Sequence, residues 1–342
     1  MAQIKPFKGL RYTEKAGRIS ELVCPPYDIV SPIQREEYIK ANPHNLIRLE
    51  LPSGGEDRYR EAGETLSKWL QGNVLDTDSK EGIYVYEMAF DVKGEAFSVK
   101  GFVTLVKIEE FERGVVLPHE ETLSKAKTDR FNLMSETFCN FSQIYSLYMD
   151  EDKSTFSIID SASQGAPDIE ITDGDGVTHK LWCVYDSDII SAVQDKFSNK
   201  KLYIADGHHR YETALNFRNS LRENGNGDGN EDYVMMMLVN MENDGLVVLP
   251  THRIIRGMQG FNLDSLLEKC GKHFDITELS AEKIECALDE QYAKGSKALA
   301  LYTTGATYLL VLSDGNAIAQ LLPNASDAYC GLDVTTLHTL VL

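Results

Sequence analysis

Several protein classes leave marks that this sequence lacks, and each absence narrows what the chain can be. No stretch approaches the roughly 20 apolar residues that a membrane-spanning helix requires. The opening segment, Met1-Ala2-Gln3-Ile4-Lys5-Pro6, has no apolar run of the kind a secretory signal carries. The six cysteines (Cys24, Cys139, Cys183, Cys270, Cys286 and Cys330) are scattered, with no CxxC pair and no zinc-like spacing. They read as reduced thiols in a soluble, cytoplasmic protein. Internal repeats are absent. Basic charge is in short supply: 34 Lys and Arg stand against 53 Asp and Glu, a formal net charge of −19. Nucleic-acid binding driven by counterion release needs basic surface, so neither a nucleic acid nor a membrane is an expected partner. The acidity serves solubility and still leaves room for a local basic pocket.

What is there is an ordinary globular composition, 42% hydrophobic and 25% charged, in 342 residues. That is enough chain for a sizeable core divided among two or three lobes. Residues 1 to about 30 read as extended and turn-rich, because Pro25-Pro26 forbids helix. Ser31-Pro32 predicts a helix start and Asn42-Pro43 its end. Tyr59, Ala62, Leu66, Trp69 and Leu70 recur at helical spacing between Asp57 and Leu70, with Gly72 as the stop. From Gly82 the pattern is that of strands: Ile83–Phe90 and Ala96–Val106, joined by an Asp91–Glu95 turn. A polar helix is expected from near Glu120 through Arg130, and further strands at Ile144–Met149 and Leu181–Tyr185. Tyr233–Val239 reads as a strand buried on both faces, and Leu246–Leu249 as another leading into Pro250-Thr251-His252-Arg253. The tail from Asn262 predicts two helices and a hairpin. The division follows: residues 1–80 packing on a core, the core at 81–260, and a smaller α/β lobe at 261–342. Thr335–Leu342 is apolar and stops without a polar end, so the natural chain is expected to run further.

The clearest switch from strand to helix is Lys200–Ala205 followed by Asp206-Gly207-His208-His209-Arg210. Glycine after a strand lets the backbone turn sharply and approach a ligand. The residues after it occupy the first helical turn, where free N–H groups and the helix dipole favour an anion. Two imidazoles and a guanidinium added there make a concentrated oxyanion site, and Asp206 is placed to hold Mg²⁺ or to orient a histidine. The plainer alternative is a polar cap, with Asp206 capping the helix and both histidines solvated. Upstream, Pro118-His119-Glu120-Glu121-Thr122 leads into Lys125, Lys127, Asp129 and Arg130. Glu120 is a candidate general base and the cations are candidate phosphate ligands, against the alternative of an exposed charged helix. His252 and Arg253 are candidates for the same crevice at the strand ends. Pro25-Pro26-Tyr27-Asp28 reads chiefly as a structural corner.

Around Ile204-Ala205-Asp206-Gly207-His208-His209-Arg210-Tyr211-Glu212-Thr213-Ala214 the sequence closely resembles a large prokaryotic family catalogued as domain of unknown function 1015. Pro25-Pro26-Tyr27-Asp28, Asn42-Pro43-His44-Asn45-Leu46, Pro118-His119-Glu120 with Thr122, Asp129-Arg130 and Pro250-Thr251-His252-Arg253 all look like positions of that family. The resemblance implies a ParB/sulfiredoxin-like α/β core, a mixed sheet with additions at both ends. The Asp-Gly-His-His-Arg box is similar to that of free-serine kinases of this superfamily, which take phosphate from ATP, ADP or pyrophosphate. In those kinases the glutamate of a His-Glu step is the base, and Glu120 matches it across a longer spacing that implies an insertion. The function implied is a Mg²⁺-dependent phosphotransferase acting on a small hydroxylated metabolite, L-serine first. Gly207, His208, His209 and Arg210 would cradle donor phosphates, Asp206 would help bind Mg²⁺ or position the transferring group, and Glu120 would accept the hydroxyl proton. Lys127 and Arg130 would steady charge. Two rivals remain, a phosphohydrolase or nucleotide hydrolase in the same pocket and a non-catalytic nucleotide-binding module. Donor, acceptor and oligomeric state are left open.

Overall fold

The period-two patterns are realised as a large sheet. A computed structural model describes residues 1–120, 124–225, 227–249 and 252–342, with backbone alone at 124–126. Two units emerge, Met1–Leu249 and Pro250–Leu342. In the first, the strands are β1 (Ile4–Lys5), β2 (Leu10–Tyr12), β3 (Leu75–Thr77), β4 (Ile83–Val92), β5 (Glu95–Lys107), β6 (Val116–Leu117), β7 (Ile144–Tyr148), β8 (Ile169–Thr172), β9 (Thr178–Val184), β10 (Leu202–Asp206) and β11 (Tyr233–Asn240). Its helices are α1 (Ile19–Leu22), α2 (Pro32–Ala41), α3 (Ile47–Glu50), α4 (Arg58–Gln71), α5 (Ser124–Thr137), α6 (Ser154–Ala162), α7 (Ser187–Phe197) and α8 (His208–Glu223).

The main sheet runs β6-β10-β7-β11-β5-β4-β9-β8, with β1 also paired to β5. It is mixed: β6 lies parallel to β10 and β7 parallel to β11, while the other pairings are antiparallel. The alternation of β11 shows how both faces are covered. Val234, Met236 and Leu238 join one hydrophobic cluster, while Met237 and Val239 join another. Met236 and Met237 are therefore packing and Met235 is half-buried, as β11 is flanked by β5 and β7. The N-terminal segment builds a smaller core of its own from Leu22, Leu49, Leu66, Trp69 and Leu75.

Local signals place most helices. Ser31 and Gln34 form the reciprocal capping box of α2, with Pro32 in the first turn, an arrangement worth roughly 0.5–2 kcal/mol. Tyr59, Ala62, Leu66 and Trp69 form the buried face of α4, as their spacing predicts, whereas Leu70 of the same set is exposed. Four expectations need correction. The first 30 residues are not wholly extended, since α1 forms ahead of the Pro25-Pro26 block and so escapes it. Helix α5 does not stop at Arg130 but continues to Thr137, because Leu133 and Thr137 are still buried beyond it. Leu246–Leu249 is not a strand. Val248 is 89% exposed there, and both edges of β11 already have partners, so no sheet position was left for it. The tail carries more than two helices and a hairpin.

In the second unit, α9 (Leu263–Cys270) leads to β12 (Phe274–Leu279), α10 (Ala281–Ala293), β13 (Ala298–Tyr302) and β14 (Thr307–Leu312). Three short helices follow, α11 (Ala317–Leu321), α12 (Asp327–Cys330) and α13 (Asp333–Leu340). The strands form an antiparallel sheet in the order β12-β14-β13. Among the described residues, no helix is long and apolar enough to cross a membrane.

Candidate functional site

Strand β10 ends at Asp206 and α8 begins at His208, so the whole turn is one residue, Gly207. Gly207 sits at φ +94°, a conformation that side chains rarely adopt. A Cβ there would also lie 3.0 Å from Arg210 Nε. Glycine is therefore required twice over. Tyr211, fully buried, anchors the helix start: its hydroxyl donates to the Glu109 carbonyl at 2.7 Å and accepts from the Glu109 N–H at 2.9 Å. Gly207 occupies the cap position and so offers the helix start no side chain of its own. Asp206 pairs with Arg210 instead.

Sheet topology brings the second motif to this turn. Because β6 runs parallel to β10, in the register Leu202–Val116 and Tyr203–Leu117, the chain leaving β6 emerges beside the end of β10. Its next residues are Pro118-His119-Glu120. His119 Nδ1 donates to the Ile204 carbonyl at 2.7 Å, and the His119 backbone N–H donates to His208 Nε2 at 3.2 Å. The two rings meet edge to face, 4.5 Å between centroids. With Nε2 accepting, neutral His208 carries its proton on Nδ1, and that atom lies 3.5 Å from Glu120 Oε2. The other oxygen of Glu120 is 3.8 Å from His119 Nε2.

His208 is only 3% exposed, which removes the alternative of two solvated histidines. Burial, and next the neighbouring His119, hold its imidazole below the usual range, while Glu120 and Asp206 pull the other way. A neutral ring is also what the positive end of a helix favours. His209, in the same first turn, is half-buried. Arg210 donates to the carbonyl of Gln143, which precedes β7, as well as to Asp206.

Helix α5 supplies the remaining cations. Lys127 Nζ pairs with Glu212 of α8 at 2.7 Å. Arg130 is 8% exposed and pairs with Asp129, and its Nη1 donates to the backbone carbonyl of Glu50 at 2.7 Å. The ring of Tyr27 lies against its guanidinium at 4.0 Å, so Pro25-Pro26-Tyr27-Asp28 does reach the site. Burial works against ionisation of Asp129, but hydrogen bonds from Tyr59 and Arg130 outweigh it and hold the carboxyl below its usual range.

Among the sequence-predicted residues, the structure thus brings together Glu120, Asp206, Gly207, His208 and Arg210, with His209 in the same turn, and sets Lys127 and Arg130 on the neighbouring helix. His252 and Arg253 fall in the second unit, exposed on irregular chain. Thr122, Pro250 and Thr251 lie outside the described residues, as does the side chain of Lys125. Among the described residues, no group of three or more His, Cys, Asp or Glu is arranged around a common metal position.

A family model described as protein of unknown function (DUF1015) matches residues 4–335. The chain belongs to that family. Comparison with curated proteins and with solved structures gives no match. The DUF1015 match spans both units, and every residue of the site falls within it.

Three residues of this DUF1015 chain escaped sequence reasoning. His119 was read only as the neighbour of Glu120, and Gln143 contributes a backbone carbonyl, which no sequence pattern reveals. The third is Glu50, 4% exposed at the end of α3. Burial pushes its carboxyl up to about 7, against the pull of Arg130 and Arg210 and with a further push from Asp28. A glutamate inside the apolar run Leu46-Ile47-Arg48-Leu49-Glu50-Leu51 was the available signal.

Proposed function

We propose that the protein is a Mg²⁺-dependent phosphotransferase that moves a phosphoryl group from ATP, ADP or pyrophosphate to the hydroxyl of a small metabolite, L-serine being the first candidate. The observation that carries this reading is the meeting of Glu120 with His208 at the start of α8. A carboxylate there stands beside a glycine turn, the first turn of a helix and a neutral imidazole. Phosphoryl transfer depends mainly on positioning and electrostatic stabilisation, and such an array offers both.

Donor phosphates lie against Gly207, His208, His209 and Arg210. Glu120 takes the proton of the acceptor hydroxyl, whose oxygen bonds to phosphorus as the bond to the leaving phosphate oxygen breaks. His208, with Nδ1–H toward Glu120, orients that carboxylate. Lys127 and Arg130 steady charge around the transfer.

Asp206 is the residue to hold Mg²⁺. Its Oδ2 pairs with Arg210, and no described residue bonds Oδ1. Mg²⁺ is commonly held by one or two protein carboxylates together with substrate phosphates, so this donor set fits. When bound, the ion supplies neutralisation of phosphate charge.

We read the mixed sheet with its strand–turn–helix box as a ParB/sulfiredoxin-like core akin to that of free-serine kinases. Support comes from the box, from the His119-Glu120 step beside it and from the parallel β6–β10 pairing that joins them. The partners are small molecules, neither nucleic acid nor membrane. A hydrolase is the second reading, favoured by the 62% exposure of the Glu120 side chain, which admits water.

Glu120→Gln tests the base. Turnover is expected to fall about 10²- to 10⁴-fold with thermal unfolding unchanged. Full turnover in the folded variant refutes the assignment. Release of orthophosphate without a phosphomonoester product would replace the kinase by the hydrolase.

A further inference from the structure

Glu50 does not belong to the mechanism above, yet it is one of the least exposed charged residues near the site. Its carboxyl makes no hydrogen bond and no ion pair within 4 Å with any described residue. The charged and titratable groups that face it come from three parts of the chain: Arg130 on α5, Arg210 on α8, and Cys24, Tyr27 and Asp28 around Pro25-Pro26. Neither guanidinium turns its donors to this carboxyl. Arg130 is occupied by Asp129 and by the backbone carbonyl of Glu50, and Arg210 by Asp206 and the Gln143 carbonyl.

A carboxylate left with a trace of exposure and no protein donor is expensive, because most of water's solvation is lost and no described residue replaces it. The neutral acid lowers that cost but has no protein acceptor for its O–H among the described residues. An oxyanion ligand supplies the acceptor and disfavours the ionised form in the same step.

Resting on the phosphate-binding reading of the turn after β10, we propose that Glu50 serves this site as a neutral carboxylic acid, donating a hydrogen bond to a bound oxyanion. Binding of the anion then takes up one proton per site wherever free Glu50 is ionised. The consequence is donor affinity that weakens as pH rises, through a group that carries no net charge when it works.

The test is calorimetric titration with sodium sulfate, a dianion throughout the range used, between pH 7 and 9 in buffers of different ionisation enthalpy. The wild-type protein should take up about half a proton on binding at pH 7 and close to one by pH 9, and its affinity should fall up to about tenfold per pH unit. Glu50→Gln keeps an N–H donor but does not titrate. It should bind sulfate with the wild-type affinity of pH 7 and hold that affinity to pH 9. Any uptake at His208 or His209 persists in this variant and is thereby separated. Glu50→Met removes the donor and should weaken binding at every pH.

Proton release on binding would mean that the bound state does not favour the neutral acid, and would overturn the proposal. So would pH-independent affinity with Glu50→Gln indistinguishable from wild type, or no sulfate binding at all. Phosphoryl transfer measured alongside keeps the two readings apart. Proton-linked binding without transfer retires the kinase alone, whereas transfer without linkage retires the role of Glu50 alone.

Discussion

Asp150 and Glu50 are nearly equally buried, at 2% and 4% exposure, and the chain treats them in opposite ways. Asp150 Oδ2 accepts from the Thr155 and Phe156 N–H groups at the start of α6, at 2.9 and 3.2 Å. Its Oδ1 accepts from Thr155 Oγ1 at 3.1 Å and from Lys200 Nζ at 2.8 Å. That carboxylate is completed by its own fold, far along the sequence from the Asp206–Arg210 turn. Glu50 is completed by nothing among the described residues, although two guanidinium groups stand near it. A buried acid with all its bonds made is part of the structure. A buried acid with none made is the one to which we assign a hydrogen bond to the bound oxyanion.

Removing each acid sharpens that contrast. Asp150→Ala leaves Lys200 without its acid, though not without the Met149 carbonyl, and the α6 N–H groups unmet, so a loss of about 3 kcal/mol in urea unfolding is expected. A loss below about 1 kcal/mol would mean that the buried pair is not structural. Glu50→Gln should act in the opposite direction. Folded Glu50 holds its proton up to about pH 7, whereas the unfolded side chain ionises near its ordinary 4.5. Between those values folding binds a proton, so the contribution of Glu50 to stability is full at acid pH and is lost as pH rises through 7. Above pH 7 the variant should therefore exceed wild type by on the order of 3 kcal/mol, the difference vanishing near pH 4. A pH-independent difference would break the comparison.

Gly207→Ala forces a side chain onto φ +94° and toward Arg210, at a cost of about 1–2 kcal/mol. Sulfate affinity should fall with it, because Arg210 must move. Unchanged unfolding would show that the turn relaxes freely. The smallest effect is expected at Asp129, an acid with several partners. Tyr59→Phe removes one hydrogen bond of 2.7 Å to it and should cost about 1 kcal/mol or less.

Legibility in the sequence follows the range of the interactions. Helices α2 and α4, the β4–β5 hairpin and the β10–α8 switch are written in local signals such as Ser31-Pro32, the spacing of Tyr59 to Trp69, and Gly207. The box is legible for the same reason, since a turn, a helix start and its cations occupy five consecutive residues. What joins the box to His119-Glu120 is a parallel pairing between segments more than 80 residues apart, and no local pattern encodes it. Helices α6 and α7 and strand β8 went unpredicted, and Leu246–Leu249 was expected to pair because apolar residues alone do not show whether a sheet edge is open. Glu50 was hidden by its setting, an acid in an apolar run whose significance lies in the absence of a partner.

The most direct test of the phosphotransferase reading is a ³¹P NMR time course of the purified protein with Mg²⁺ and L-serine, with ATP, ADP and pyrophosphate supplied separately. A new phosphomonoester resonance that grows with one donor and is lost in Glu120→Gln is the predicted result. Orthophosphate alone, or no turnover of any donor that is shown to bind, with L-serine or with other hydroxylated metabolites, would contradict it.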